Sequence, residues 1–296
     1  MVVRKLTKVP IDTYYSQIGL WPSIPSEISP EQWLANFKTD ERPFAESLLK
    51  SILYLNSRLT RRLFVSALHR ISQTLGPSGG SFDGRKSLWT NFLNSVIVTM
   101  PAGTQANPSD SAHFFANWVK HDTPIAEQQI MTTSEARRVL STEQRPILFV
   151  DDFAGTGRQF DTTWHDDSGG VPSFHALKQS GSISNAIYAP VLATKQACDK
   201  IAQRCDGALV LPAQRLSNRY GALDPQTLLF PEHQLPGVET FIRSTSARAK
   251  IPEDQIFGVG GLALAVGFEH SIPNNTLPII WWTKNKWAPL FARKES

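Results

Sequence analysis

ILFVDDFAGTGRQF, residues 147–160, decides how the rest of the chain is read. Ile147, Leu148, Phe149 and Val150 run without alternation, which marks a strand buried on both faces and hence a parallel sheet covered by helices. Asp151 and Asp152 follow at the strand's carboxyl end, where open parallel sheets place their ligands. Phe153, Ala154, Gly155, Thr156 and Gly157 then run into a helix. Backbone N–H groups in such a turn can converge on an anion, helped by the partial positive charge of the helix start. Glycine lets the backbone approach closely, and the Thr156 hydroxyl adds a donor. Carboxylates repel phosphate, so Asp151 and Asp152 need another partner. A sugar phosphate satisfies both halves: residues 154–158 take the 5-phosphate, and the two acids accept from ribose hydroxyls.

The flanking sequence repeats the same texture. Apolar runs at SVIVTM (95–100), NAIYAPVLA (185–193) and DGALVLPA (206–213) alternate with amphipathic stretches at 109–121, 134–140, 174–180 and 194–203. Strand and helix in turn predict an α/β domain with a mostly parallel sheet and flanking helices, assigned to 81–296. Residues 1–80 are expected to form a helical N-terminal region, with a winged-helix-like arrangement left open. Ser29-Pro30-Glu31-Gln32 reads as a helix start. Phe44, Leu48, Leu49, Ile52 and Leu55 form one apolar stripe, and Leu59, Leu63, Ala67, Ile71 and Leu75 form another. GPSGGSFDGRK (76–86) reads as a linker or mobile loop. Arg58, Arg61, Arg62 and Arg70 lie on the last N-terminal helix, either as a solvated face or as a face for nucleic acid. Four phosphate contacts would give a logarithmic salt slope of about −3 to −4.

Composition narrows the class. The chain has 296 residues, 41% of them hydrophobic, and its net charge of +4 is too small to argue nucleic-acid binding by itself. Cys198 and Cys205 sit seven apart in a helical pattern, which offers no metal set and makes a disulfide between them unfavourable. Reduced thiols, the lack of a signal-peptide core in MVVRKLTKVPIDTYY and the shortness of the apolar run 259–268 point to a soluble, cytoplasmic protein with no membrane span. His165, Asp166 and Asp167 read as a polar loop, and no metal ligand is assigned.

Four apolar residues, two acids, two small or apolar residues, a hydroxyl and a glycine form a pattern that resembles the phosphoribosyl pyrophosphate motif of type I phosphoribosyltransferases. Gly155 stands where that family usually has threonine. NPSDSAHFFANW (107–118), HSIPNNTLPIIWW (270–282) and WAPLFAR (287–293) are similar to segments of a phosphoribosyltransferase-like family of bacterial conflict systems, retrons included. The resemblance implies an antiphage effector that takes phosphoribosyl pyrophosphate or a nucleotide. A reverse transcriptase with its nucleic acid, or another defence protein, would be its partner. A transferase of this type would use Mg2+ to bridge ribose oxygens and pyrophosphate. Ser109 and Asp110 open a helix after SVIVTM and are candidates for a second ligand loop, with a simple helix cap as the competing role. His270, Asn274, Asn275 and Thr276 offer neutral donors and acceptors on a proline-stiffened loop, or close a turn. Trp281, Trp282 and Trp287 are expected in the core. Three functions stay in play: glycosyl transfer or cleavage, nucleotide sensing without turnover, and nucleic-acid-binding regulation through the N-terminal helices.

Overall fold

The computed structural model describes residues 11–22, 28–76, 81–101 and 110–291. Its described residues gather into two compact units, one within Met1–Ser57 and Asn218–Glu295, the other within Arg58–Ser217. This division is not the expected one at residue 80. The first stretch of chain finds its core partners near the C-terminus, a pairing that local periodicity does not encode.

Helices α1 (Ile11–Gln17), α2 (Pro30–Leu34) and α3 (Arg42–Ser51) lead to strand β1 (Leu53–Leu55). The helical stripe expected to run through Ile52 and Leu55 therefore stops at Ser51. Ile52, Leu53, Tyr54 and Leu55 are β-branched, aromatic or bulky, and they extend because a strand partner is present. Beyond β1, α4 (Ser57–Thr74) buries Thr60, Phe64, Ala67, Leu68 and Ile71, a face rotated from the Leu59–Leu63–Leu75 stripe. Helix α5 (Phe82–Ser95) begins inside the expected linker. The Ser81 hydroxyl accepts from the Gly84 N–H at 3.1 Å and caps it, which offsets the cost of Gly84 in the first turn.

The second unit continues through β2 (Ile97–Thr99), α6 (Asp110–Asp122), α7 (Thr133–Leu140), β3 (Arg145–Ala154), α8 (Arg158–His165), α9 (Phe174–Gln179), β4 (Ile183–Thr194), α10 (Lys195–Arg204), β5 (Ala208–Val210) and β6 (Gln214–Leu216). Every pairing in its sheet is parallel, in the order β2-β3-β4-β5, with β6 also on β4. The expected α/β architecture is what forms. Ile147, Leu148, Phe149 and Val150 are all 0% exposed, because β3 is central and covered on both faces. An aromatic cluster fills one side: Phe149 meets Phe160 edge-on at 5.1 Å and Phe174 at 4.9 Å, while Phe160 stacks on Tyr188 at 4.3 Å. Each such ring contributes roughly 1.5–3 kcal/mol by burial, so this cluster fixes α8 against the sheet.

The remaining elements are α11 (Val238–Arg248) and β7 (Val266–Phe268), back in the first unit. There β1 and β7 pair in parallel, Leu53 opposite Val266 and Leu55 opposite Phe268. Trp33, Trp282 and Trp287 are buried, and their indole N–H groups donate to the carbonyls of Ile279, Ala249 and Ile279, as buried tryptophans require. Trp281 is half-buried and donates to Thr276 O at 3.2 Å. No helix among the described residues is long and apolar enough to cross a membrane.

The basic helix face is partly used up within its own unit. Arg61 pairs with both carboxylate oxygens of Asp122, and Arg70 donates to Pro212 O at 2.6 Å. Arg58 and Arg62 stay exposed. Two phosphate contacts rather than four would give a logarithmic salt slope of about −1.4 to −1.8 for any nucleic acid held by this face. A salt titration of wild type against the Arg58→Ala, Arg62→Ala pair measures it. A slope for wild type near about −3 would show that Arg61 and Arg70 leave their partners to bind.

Candidate functional site

Strand β3 delivers the acids and helix α8 receives the turn that follows them. The strand runs on to Ala154, so Asp151 and Asp152 lie in its last stretch rather than beyond its end. Each Asp151 oxygen is engaged: the Tyr188 hydroxyl donates to Oδ2 at 2.8 Å, and the Asp152 N–H donates to Oδ1 at 2.9 Å. Tyr188 comes from β4, where it pairs with Phe149, and it is 1% exposed. Its ring lies flat on Phe160, so the hydroxyl has a single aim.

Asp151 keeps part of its surface open, yet burial of its carboxyl group pushes its proton affinity well above the ordinary aspartate range. The Asp152 charge adds to that rise, and the Tyr188 hydrogen bond opposes it without reversing it. Burial first, and Asp151 second, raise Tyr188 well above the usual phenol value, so Tyr188 stays a donor. Burial and the neighbouring Asp152 charge together favour the protonated form of Asp151 over that of an ordinary carboxylate.

The turn itself is built from behind. Ala154 is 4% exposed and faces Ala193 of β4 in register. Thr194, the last residue of β4 and the N-cap of α10, donates its hydroxyl to Gly155 O at 2.5 Å and accepts from the Ala197 N–H at 3.0 Å. Gly157 caps α8 in the left-handed region, at φ 72°. A Cβ there would lie 3.1 Å from Ala197 O and 3.3 Å from Ile201 Cγ1. The glycine is thus needed for backbone handedness and for packing on α10, where the sequence suggests approach to an anion. The Arg158 N–H makes only a long 3.4 Å bond to Thr156 Oγ1, and the amides of Gly155, Thr156 and Gly157 have no protein acceptor among the described residues. The Arg158 side chain is exposed. Gly155 and Gly157 are buried and Thr156 is half-buried, and these three unpartnered amides stand at the start of α8, a set of donors of the kind that anions take up.

Ser109 lies outside the described residues, as does the side chain of Asp110, the first residue of α6. His270, Asn274, Asn275 and Thr276 belong to the first unit. There the Asn275 amide donates to Val259 O at 2.6 Å, Thr276 Oγ1 donates to Val266 O at 2.6 Å, and Asn274 O accepts from the Val259 N–H at 2.8 Å. His270 and Asn275 are each 7% exposed and Thr276 is 0% exposed, and the bonds of Asn275 and Thr276 brace the loop that follows β7.

Asp161, His165 and Cys205 bring ligand-type atoms within 4.8 Å of one another. Arg204 at 2.9 Å and Lys200 at 3.5 Å already hold Asp161, and burial pushes the Cys205 thiol up to about 12. A neutral thiol beside two cations suits a tie between α8 and α10 better than a metal centre. For Mg2+, the hard oxygens of Asp151 and Asp152 are the right donor type, and each Asp151 oxygen already accepts one hydrogen bond from the protein.

Sequence reasoning does not single out Tyr188 or Thr194. A lone tyrosine in an otherwise aliphatic strand, and a threonine where strand yields to helix, are the signals that point to them.

No curated protein matches the chain. A family model described as PRTase-CE matches residues 30–293. That span takes in both units and the acid-and-glycine turn, and a match over nearly the whole length places the chain in the PRTase-CE family of phosphoribosyltransferase-like proteins.

Proposed function

We propose that this turn binds a ribose 5-phosphate group, in phosphoribosyl pyrophosphate or a nucleotide, and that the protein transfers or cleaves the group linked at the ribose C1 as an effector of antiphage defence. The observation that carries the reading is the set of amides at Gly155, Thr156 and Gly157, unpartnered among the described residues and separated by two residues from the pair of acids in the last stretch of β3. The amides and the start of α8 take the phosphate. Asp151 and Asp152 accept from the ribose hydroxyls, and as carboxylates they favour positive charge developing on the sugar ring as the C1 bond stretches. Bound Mg2+ would neutralise a departing pyrophosphate, and the carboxylates of Asp151 and Asp152 are the hard oxygen donors that would hold it. Partners within a defence complex, a reverse transcriptase and its nucleic acid among them, belong to the same proposal.

The raised proton affinity of Asp151 favours a second reading, a nucleotide sensor without turnover, because a protonated acid stabilises positive charge poorly. One experiment separates the two. The purified chain is incubated with phosphoribosyl pyrophosphate, NAD or nucleotides and magnesium, and both heat of binding and release of pyrophosphate or free base are followed. Binding with release is the expected result; binding alone supports the sensor, and neither overturns the ribose-phosphate reading.

A further inference from the structure

We propose that Thr194 is the positioning residue of the anion site: its hydroxyl holds the Gly155 carbonyl inward and so aims the Thr156 N–H at the bound phosphate. The inference rests on the ribose-phosphate reading and names a residue outside the motif that makes it work.

Gly155 has no side chain and wide freedom in φ and ψ, so nothing in its own chemistry sets the plane of the peptide that follows it. In a planar trans peptide the carbonyl and the next N–H point in opposite directions. Fixing Gly155 O therefore fixes the Thr156 N–H. The fixing atom is Thr194 Oγ1, 2.5 Å away on a residue only 6% exposed. That hydroxyl cannot swing off, because it also accepts from the Ala197 N–H at 3.0 Å as the cap of α10. Donor and acceptor are both used, so one side chain starts a helix and orients a peptide plane.

Two further contacts make the arrangement rigid. The register of Ala154 with Ala193 brings Gly155 alongside Thr194 as the chain leaves the sheet. Gly157 backs onto Ala197 in the same first turn of α10. The loop is thus held at both glycines, by Thr194 at Gly155 and by Ala197 at Gly157.

The test uses the full chain, with ribose 5-phosphate and inorganic phosphate as probes in calorimetry and in amide NMR. Thr194→Val keeps the shape and removes the hydroxyl; Thr194→Ser keeps the hydroxyl. Wild type should bind ribose 5-phosphate, the Val variant should bind at least about tenfold more weakly, since one hydrogen bond to a charged group is at stake, and the Ser variant should recover most of the affinity. In wild type the Thr156 amide signal should move on ligand addition. Equal affinity in a folded Val variant, or a Thr156 amide that stays still while ligand binds, overturns the role of Thr194 alone. If wild type binds neither probe, the ribose-phosphate reading falls and this inference falls with it. Should the Val variant not fold, the wild-type Thr156 signal decides by itself.

Discussion

Asp151→Asn should weaken a ribose-phosphate ligand by about 10- to 100-fold, the effect of one hydrogen bond to a charged acceptor, and should raise the melting temperature at neutral pH. Loss of function with gain of stability follows from the same burial. In the folded chain the Asp151 carboxyl keeps its proton well above the ordinary range, near 4, at which the unfolded chain releases it. Between those two points the folded state binds more protons than the unfolded state, so stability falls as pH rises across that window and levels off above the folded value. Asparagine removes that slope. Ligand affinity should run the other way: ribose hydroxyls donate best to the ionised acid, so wild-type affinity should climb as pH rises toward the folded value, and the Asn variant should be flat. Calorimetry and thermal melts across pH read both. A variant with wild-type affinity and an unchanged melting curve would remove Asp151 from the site.

Gly157→Val should cost about 3–5 kcal/mol of stability, a third or more of what a typical domain has. A residue with a Cβ at φ 72° carries strain of about 1–3 kcal/mol, and the branched side chain adds an overpacking cost of similar size against Ala197 O at 3.1 Å. The contact is with backbone, which cannot swing aside. Gly169 and Gly170 supply the control, since both have positive φ and nothing within 4 Å of where a Cβ would stand, so alanine there should cost only the strain. Urea denaturation compares the three. If Gly157→Val melts like Gly169→Ala, the packing of the turn on α10 is not what holds it. A lost ligand in this variant would then report a blocked site, where the structure expects a displaced loop.

Much of the second unit is legible in the sequence because its signals are local. Unbroken aliphatic runs mark β3 and β4, and the amphipathic period marks α7, α9 and α10 nearly to the residue. Leu53-Tyr54-Leu55 reads as helix because its apolar residues continue the period of α3, and only a distant strand reveals it as β1. Residues 82–86 read as linker because glycine and serine surround them, although Ser81 is in position to cap a helix. At the site, the acids and glycines stand out because each is unusual in composition. Tyr188 and Thr194 do not, since tyrosine and threonine are ordinary strand residues and their role depends on the register of β3 with β4. Asn275 and Thr276 are conspicuous as polar groups, but polarity in a loop does not distinguish a ligand contact from a bond to the chain's own carbonyls.

The pairing of β1 with β7 bears on how the chain emerges from a ribosome. Leu53 leaves the tunnel about 200 residues before Val266, so at ordinary elongation rates the strand waits about 10–40 s for its partner. The second unit, contiguous from Arg58 to Ser217, has been synthesised before that wait ends, acids and glycine turn included. A nascent chain passes through an interval in which all of this unit has been synthesised while the hydrophobic surface of Trp33, Leu48 and Leu49 has no C-terminal half to cover it. Chaperones have that interval in which to bind the N-terminal segment, and translation pausing anywhere between Ser217 and Val266 lengthens it.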